Sequence, residues 1–224
     1  MKKNYGLSSS YWDSLSDEHK EMYHLVRPLR TANYQVNNSL SGIEKSLEMM
    51  REQAESVGGT LELNPDFQRG HVWNEDQQIR FIESLIRGSA PVNIKFNCVN
   101  WGNNNSSEEE AGMNPNSIFC IDGLQRLTAM RRFAAGEIKV FDKYYINDLD
   151  DTPFTTKGFS YNWVMEMYDF PTRRDLLQFY IDLNSGGVVH SDDEINRVKT
   201  LLAETKAPEN TKPEGKKSSR KKAP

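Results

Sequence analysis

Five consecutive residues, Asp122–Arg126 (DGLQR), combine side chains that can bind a phosphate group and act on it. They follow the apolar run Ile118–Ile121 and precede a helical pattern, which predicts a strand that turns directly into a helix. The first turn of a helix has backbone N–H groups without intrahelical acceptors and a partial positive charge, and both attract anions. Arg126 lies one turn along, where its planar guanidinium can bind two phosphate oxygens.

The other side chains of this segment suggest chemistry beyond anion capture. Gly123 is expected to let the backbone approach a ligand, and the N–H groups of Gly123 and Leu124 to bind its phosphate. Gln125 can bind a ligand or orient a water molecule. Asp122 would repel a phosphate unless it binds a cation or accepts a proton, which points to catalysis or to bound Mg²⁺.

A purely structural interpretation of the same residues stays open at this point. Asp122 can be only a helix cap, Gly123 only a turn residue and Arg126 only a surface cation, because aspartate caps are common in proteins. Local chemistry alone does not decide between the two interpretations.

The elements that must position these residues follow from apolar periodicity. Helices are predicted for Ser16–Val26, for Leu40–Val57, for the segment from Asn74 to a stop at Gly88, for Leu124–Ala135, and for two segments that begin at Thr172 and Ser191. Ser41 with Glu44, and Asn74 with Gln77, have the spacing of a capping box. The predicted strands are Thr60–Leu63, Val92–Val99, Ser117–Ile121, Ile138–Phe141 and Tyr161–Tyr168. The polar segment of residues 101–116 is predicted to be a solvated loop.

Charge is distributed unevenly along the 224 residues. The net charge is −4, but from Glu204 onward seven basic and three acidic side chains give +4, which leaves −8 for the rest. The body is therefore not a basic DNA-binding module, although the tail can attract nucleic acid weakly. We expect three parts: a helical extension (1–38), an α+β domain with a small mixed sheet flanked by helices (39–203), and a disordered basic tail (204–224).

The remaining composition excludes several classes. No apolar run approaches the roughly 18 residues of a membrane-spanning helix, and the N-terminus does not resemble a signal peptide, so we expect no membrane partner and a cytoplasmic location. Cys98 and Cys120 lie in apolar runs and are predicted to be small buried hydrophobes. The four histidines (His19, His24, His71 and His190) lack metal-site spacing.

Three ordered motifs resemble one known family. They are the stretch from NPDFQRGHVW to VNIKF, the stretch IFCIDGLQRLTAMRRFAAGEI, and FYIDLNSGG followed by SDDEI, within about Leu61 to Ile195. Together they look like the D-G-Q-Q-R-motif family of the ParB/sulfiredoxin-like superfamily. That family forms the N-terminal, nucleotide-hydrolysing part of modification-dependent restriction enzymes of the GmrSD type. The resemblance implies a ParB/sulfiredoxin-like fold.

The resemblance also assigns residues. The family's D-G-Q-Q-R falls on Asp122–Arg126, with Leu124 in place of the first glutamine at a position that we expect to face inward. The family's F-Q-R-x-x-V-W segment makes Gln68 and Arg69 candidates for a second phosphate contact. Asn184 matches an N-x-G-G turn that either lines the site or ends a helix.

Three functions are weighed on this basis. The leading hypothesis is a protein that binds a nucleoside triphosphate or DNA and hydrolyses a phosphoanhydride or phosphodiester bond with Mg²⁺, in restriction or DNA processing. A partner protein such as a nuclease subunit is compatible with it, because no His-containing nuclease domain follows. The alternative is a noncatalytic nucleic-acid- or protein-binding regulator. Sulfiredoxin-like thiol chemistry ranks last, since Cys120 is set back in a strand.

Overall fold

The protein is described from a computed structural model that covers residues 7–70, 72–100, 112–158, 160–184 and 192–205. These residues fall into two compact units, one of residues 7–28 with 205 and the other of residues 29–204. None of the helices within the described ranges has the length and apolar character needed to cross a membrane.

The first unit contains two helices, α1 (Ser9–Ser14) and α2 (Asp17–Val26). The predicted cap of α2 is confirmed, because the Ser16 side chain accepts the N–H of His19. The ring of Trp12 packs edge-on against Tyr23 and His24, which gives this histidine a packing role.

The second unit is an α+β domain, as predicted. Its strands are β1 (Tyr34–Ser39), β2 (Leu61–Glu62), β3 (Asn93–Asn97), β4 (Ile118–Asp122) and β5 (Asn162–Tyr168). Its helices are α3 (Ile43–Ser56), α4 (Glu75–Ile86), α5 (Leu124–Ala134), α6 (Arg173–Asn184) and α7 (Asp192–Glu204). The strands form one mixed sheet in the order β1-β5-β3-β4-β2, with parallel β5/β3 and β4/β2 pairs and antiparallel β1/β5 and β3/β4 pairs.

Helices cover both faces of β4, which explains its continuous apolar sequence. Ile118 and Cys120 belong to a core cluster shared with α3, α4 and α5. Phe119 and Ile121 belong to a second cluster shared with α6 and α7. A strand buried on both faces has no polar alternation, and all four of these side chains are buried.

A register shift lies where β4 reaches its end. Phe96 of β3 pairs with Cys120, but the neighbouring Lys95 pairs with Asp122, so β4 has one extra residue, Ile121. Such a bulge changes the face toward which the following side chain points. Asp122 therefore lies opposite Lys95, on the sheet face that carries the second core cluster.

In the second unit, helix capping was predicted correctly in two places and wrongly in one. The Asn74–Gln77 capping box of α4 is confirmed, as is the Thr172 cap of α6, whose hydroxyl accepts the N–H of Asp175. The predicted capping box of α3 at Ser41 is wrong. The chain enters α3 through a 3₁₀ turn whose Ser39 hydroxyl accepts the N–H of Gly42. The predicted start at Ser191 lies outside the described residues.

Other elements differ from the sequence-based expectation. Strand β1 was not predicted; it pairs with β5 along its full length, and the second unit begins at Leu29 rather than near residue 39. The predicted strand Ile138–Phe141 is wrong, because Val140 makes only an isolated bridge with Tyr144 around a turn. The loop of residues 101–116 is described only from residue 112, and there Met113 is buried rather than solvated.

Candidate functional site

The strand-to-helix junction predicted from the DGLQR segment is present. β4 ends at Asp122, Gly123 adopts a left-handed conformation with φ = 101°, and α5 begins at Leu124. Glycine is required here by the fold itself, since a Cβ at this position would lie 2.6 Å from Cδ1 of Ile94. No side chain caps the first turn of α5 from this position, and the first N–H groups of a helix have no acceptor within the helix.

Asp122 and Arg126 form an ion pair at this junction. Nη2 of Arg126 donates to Oδ2 of Asp122 at 2.6 Å, with side-chain exposures of 16% and 30% respectively. The same Nη2 atom lies 3.3 Å from the position of a hypothetical Cβ on Gly123, so the guanidinium lies across the helix start. An anion that enters this site therefore meets a paired arginine and must compete with the carboxylate for it.

The side chain of Gln125 is hydrogen-bonded to the backbone of a neighbouring segment. Its Oε1 accepts the N–H groups of Val72 and Trp73, both at 3.0 Å, and its Nε2 donates to the carbonyl of Gly70 at 2.7 Å. These three bonds engage both ends of the side-chain amide. The geometry gives Gln125 a positioning role, in which it ties the segment around the F-Q-R motif to α5, in place of the expected contact with a water molecule.

Gln68 has a matching role on the other side of the junction. Its Nε2 donates to the carbonyls of Cys120 (3.1 Å) and Ile121 (2.7 Å). The short strand β2 pairs with β4 only as far as Phe119, so these two carbonyls lie beyond its end. Gln68 thus replaces a missing strand at the edge of β4, and its amide nitrogen is not directed at a phosphate.

Arg69 and Asn184 point toward the helices that follow β5. Nη1 of Arg69 lies 3.8 Å from Oε2 of Glu194 in α7, and Nδ2 of Asn184 donates to the carbonyl of Tyr180 within α6. The segment of Asp66–Gln68 is held by Arg197 of α7, which donates to three of its carbonyls. The structure does not bring Arg69 or Asn184 to the Asp122–Arg126 pair. The other residues of the N-x-G-G turn, and His71 and His190, lie outside the described residues.

The inward orientation expected for Leu124 is confirmed, because its side chain is buried in the first core cluster. The absent first glutamine of the family motif therefore removes no exposed polar group here. In this chain the position contributes to packing, and its backbone N–H contributes to the helix start.

A second polar cluster adjoins the junction and was missed from the sequence. Nζ of Lys95 lies 2.9 Å from Oε2 of Glu166, and both side chains are largely buried, with 18% and 9% exposure. Asn93 and Gln35 also donate to Glu166, and the Tyr168 hydroxyl donates to it at 3.5 Å. The available signal was a glutamate within the mostly apolar strand NWVMEMY, whereas Lys95 follows the ordinary polar and apolar alternation of NIKFN.

Burial and charge shift two pKa values in this cluster. Burial alone would raise the pKa of Glu166, but hydrogen bonds from Lys95 and Asn93 and the charge of Lys95 lower it below its usual value. Burial, followed by the negative charge of Glu166 and a smaller effect of Asp122, raises the pKa of Tyr168 to about 12. The charges of both carboxylates therefore act on the Tyr168 hydroxyl.

The two cysteines are free and buried, as predicted. Burial, and next the charge of Asp122, raises the pKa of the Cys120 thiol far above its usual value. A reactive cysteine needs an accessible thiolate, so the environment of Cys120 gives no support to sulfiredoxin-like chemistry.

Mg²⁺ binds to carboxylate and other oxygen atoms in proteins. Within the described ranges, no three His, Cys, Asp or Glu side chains come together as a metal cluster. Mg²⁺ bound with a phosphate substrate commonly needs only one or two carboxylates, because phosphates and waters supply the other ligands. Asp122 can supply one carboxylate oxygen, so the junction fits a metal ion that arrives with a phosphate ligand.

The fold and the junction define a class of protein. It is an α+β domain in which a buried strand ends at an aspartate and leads directly into a helix whose first turn carries an arginine. A sequence model of one family, described as GmrSD restriction endonuclease, N-terminal domain, matches residues 48–201. The match covers more than half of the chain and includes Asp122, Arg126, Lys95 and Glu166. The chain belongs to this family, which confirms the expected relation to GmrSD-type restriction enzymes and fits a role in restriction or defence. No curated protein and no solved structure matches the chain significantly.

The first prediction concerns Gln125. Replacement Gln125→Ala leaves two N–H groups and one carbonyl of the adjoining loop without their partner, and should destabilise the fold by about 1–3 kcal/mol. The exposed Gln53→Ala variant serves as control and should change stability by no more than about 0.5 kcal/mol. Urea unfolding measures both. Equal stabilities would show that the three hydrogen bonds do not hold the loop.

The second prediction concerns the pH dependence contributed by Glu166. Its pKa is lower in the folded protein than in the unfolded chain, so the ionised form stabilises the fold at pH values above the unfolded-chain pKa. This stabilisation is lost as the pH falls through the folded-state pKa. The free-energy difference between wild type and Glu166→Gln should therefore be largest near neutral pH and shrink below the usual carboxyl range. A difference that stays constant from pH 7 to pH 3 contradicts the assignment.

Proposed function

We propose that this chain binds the phosphates of a nucleoside triphosphate at the start of α5 and hydrolyses a phosphoanhydride bond with Mg²⁺. The observation that carries the proposal is the Asp122–Arg126 pair, held at 2.6 Å and partly exposed beside the first turn of α5. Helix N–H groups and a guanidinium are the donors that recognise phosphate in proteins. The ParB/sulfiredoxin-like relationship expected from the motifs is part of the same proposal.

The reaction assigns one task to each group. A water molecule adds its oxygen to the terminal phosphorus, the bond to the bridging oxygen breaks, and the water proton passes to Asp122 or to solvent. Arg126 and the N–H groups of Gly123 and Leu124 stabilise the charge on the phosphate oxygens. Asp122 is the group that would hold Mg²⁺ or take the proton, and Mg²⁺ would neutralise phosphate charge. Gln125 and Gln68 position this arrangement.

DNA enters the proposal through the family. The matching family model is described as a restriction endonuclease domain, and a phosphodiester presents the same kind of oxygens to the junction. DNA is therefore proposed as a second substrate or as the target of an assembly that includes a nuclease partner. Cleavage of DNA by the chain alone would use the same acid and arginine.

A noncatalytic regulator is the second candidate function, and one observation favours it. Asp122 already compensates the charge of Arg126, and the amides of Gln125 and Gln68 are engaged with the backbone. Such a junction can recognise a phosphate without activating water. The basic residues after Ala203 would then add electrostatic attraction to a nucleic acid.

The third prediction tests catalysis. Asp122→Ala and Arg126→Ala should each lower Mg²⁺-dependent phosphate release or DNA cleavage by about 100-fold or more, as expected for groups that stabilise transition-state charge. Asp13→Ala and Arg80→Ala remove exposed charges elsewhere and should leave the rate unchanged. The assay compares common nucleotides with single- and double-stranded DNA, with and without Mg²⁺. Wild-type turnover in either junction variant would refute the proposal.

The fourth prediction separates the two candidate functions. Deletion of the chain after Ala203 should leave hydrolysis of free nucleotide unchanged if the chain is a nucleotide hydrolase. A noncatalytic binder should instead lose DNA affinity on this deletion, with a flatter dependence of the affinity on salt concentration. Fluorescence anisotropy at several salt concentrations, alongside phosphate release, measures both. An intact chain that binds DNA but releases no phosphate from any nucleotide contradicts the hydrolase assignment.

A further inference from the structure

Four charged side chains of alternating sign follow one another across the sheet and into α5. Glu166 of β5 pairs with Lys95 of β3, Lys95 lies opposite Asp122 of β4 in the strand register, and Asp122 pairs with Arg126 of α5. Side chains directly opposite on antiparallel strands have Cβ atoms about 4.5–5.5 Å apart. Lys95 therefore lies next to Asp122 in the sheet, and Arg126 pairs with the Asp122 carboxylate from α5.

Two further observations show that the start of α5, β3 and β5 lie close together at this site. The start of α5 adjoins the start of β3, because a Cβ on Gly123 would lie 3.3 Å from both the Asn93 carbonyl and Nη2 of Arg126. On the β5 side, the Tyr168 hydroxyl donates a hydrogen bond to Glu166. The guanidinium of Arg126 thus lies near the strand that carries Lys95.

The burial of Lys95 is not explained by a gain in the stability of the fold. Removal of two charges from water is costly, and a buried ion pair often contributes no more stability than an apolar pair of similar size. Lys95 and Glu166 lie in neighbouring strands where apolar side chains are common, yet they retain opposite charges. Buried, partnered ionisable groups beside a site are often functional.

We propose that Lys95 is a second phosphate-binding residue of this site, which acts with Arg126 on adjacent phosphate groups of a polyphosphate chain. This inference rests on the proposed function, because it assigns a further contact for the same ligand. Glu166 holds Lys95 in place in the free protein and competes with the ligand for it, as Asp122 does for Arg126. When a polyphosphate binds, each cation exchanges its carboxylate for phosphate oxygens.

The proposal specifies the substrate class. Two cations beside Asp122, one on β3 and one on α5, match neighbouring, multiply charged phosphates, as in a di- or triphosphate. A single phosphate can engage only one of them together with the helix start. The site should therefore prefer tripolyphosphate and ATP over inorganic phosphate.

The test uses the full chain and four variants: Lys95→Met, Glu166→Gln, the double variant, and Lys45→Met as a control on an exposed helical lysine. Isothermal titration calorimetry with Mg²⁺ and ATP, inorganic tripolyphosphate or inorganic phosphate measures affinity. Circular dichroism and a cooperative melt establish that each variant is folded at the assay temperature. Loss of one charge-assisted contact should weaken tripolyphosphate and ATP binding about 10- to 100-fold in Lys95→Met and in the double variant. Glu166→Gln should bind as tightly as wild type or more tightly, and Lys45→Met should be unchanged.

The outcomes separate this inference from the proposed function. If Arg126→Ala loses binding but Lys95→Met retains it, the nucleotide site stands and the role of Lys95 is overturned. If Lys95→Met and Glu166→Gln weaken binding equally and the double variant restores it, the pair is only structural and the inference is again overturned. If wild type binds neither ATP nor tripolyphosphate, both proposals fail. Equal binding of inorganic tripolyphosphate and ATP locates recognition in the phosphates, whereas preference for ATP adds a contact to the nucleoside.

Discussion

The extra residue in β4 determines which side chains meet at the start of α5. Without the bulge at Ile121, the alternation of a strand would direct Asp122 toward the first core cluster, where α3, α4 and α5 pack. With it, Asp122 lies opposite Lys95 and within electrostatic reach of Tyr168. A single inserted residue thus converts the end of a buried strand into a place where charged groups can gather.

This irregular strand end needs its own hydrogen-bond partners. An edge carbonyl left without a strand neighbour carries a free-energy cost unless another donor reaches it. Gln68 supplies that donor for Cys120 and Ile121, and Gln125 holds the adjoining loop from the other side. Both glutamines were expected from their motifs to contact a ligand. Their contacts show that a motif can preserve the shape of a site as well as its chemistry.

The sequence predicted the elements whose signals are local. The Asn74 cap, the apolar strand β4 and the helix after Gly123 follow from neighbouring residues, and all are present. Strand β1 was missed because its polar sequence YQVNNS becomes a strand only by pairing with the distant β5. The contact between Lys95 and Glu166 was not predicted for the same reason, since it depends on strand order and register. The sequence placed Asp122 and Arg126 at one strand-to-helix junction, but their ion pair spans the left-handed turn at Gly123 and is not a contact within the helix.

Under the proposed function, the paired charges at the start of α5 make ligand binding an exchange of partners rather than a simple addition. The acid neutralises the arginine in the free protein, so a single weak anion gains little by displacing it. The net charge of −8 before residue 204 also gives no long-range attraction for an anion. A polyphosphate that arrives with Mg²⁺ is less affected by both obstacles. Its own cation lowers the repulsion, and the same cation can bind the carboxylate that the arginine releases. On this view the acid next to the phosphate site selects for a metal-bound polyanion, which reconciles Asp122 with phosphate binding at the same helix start.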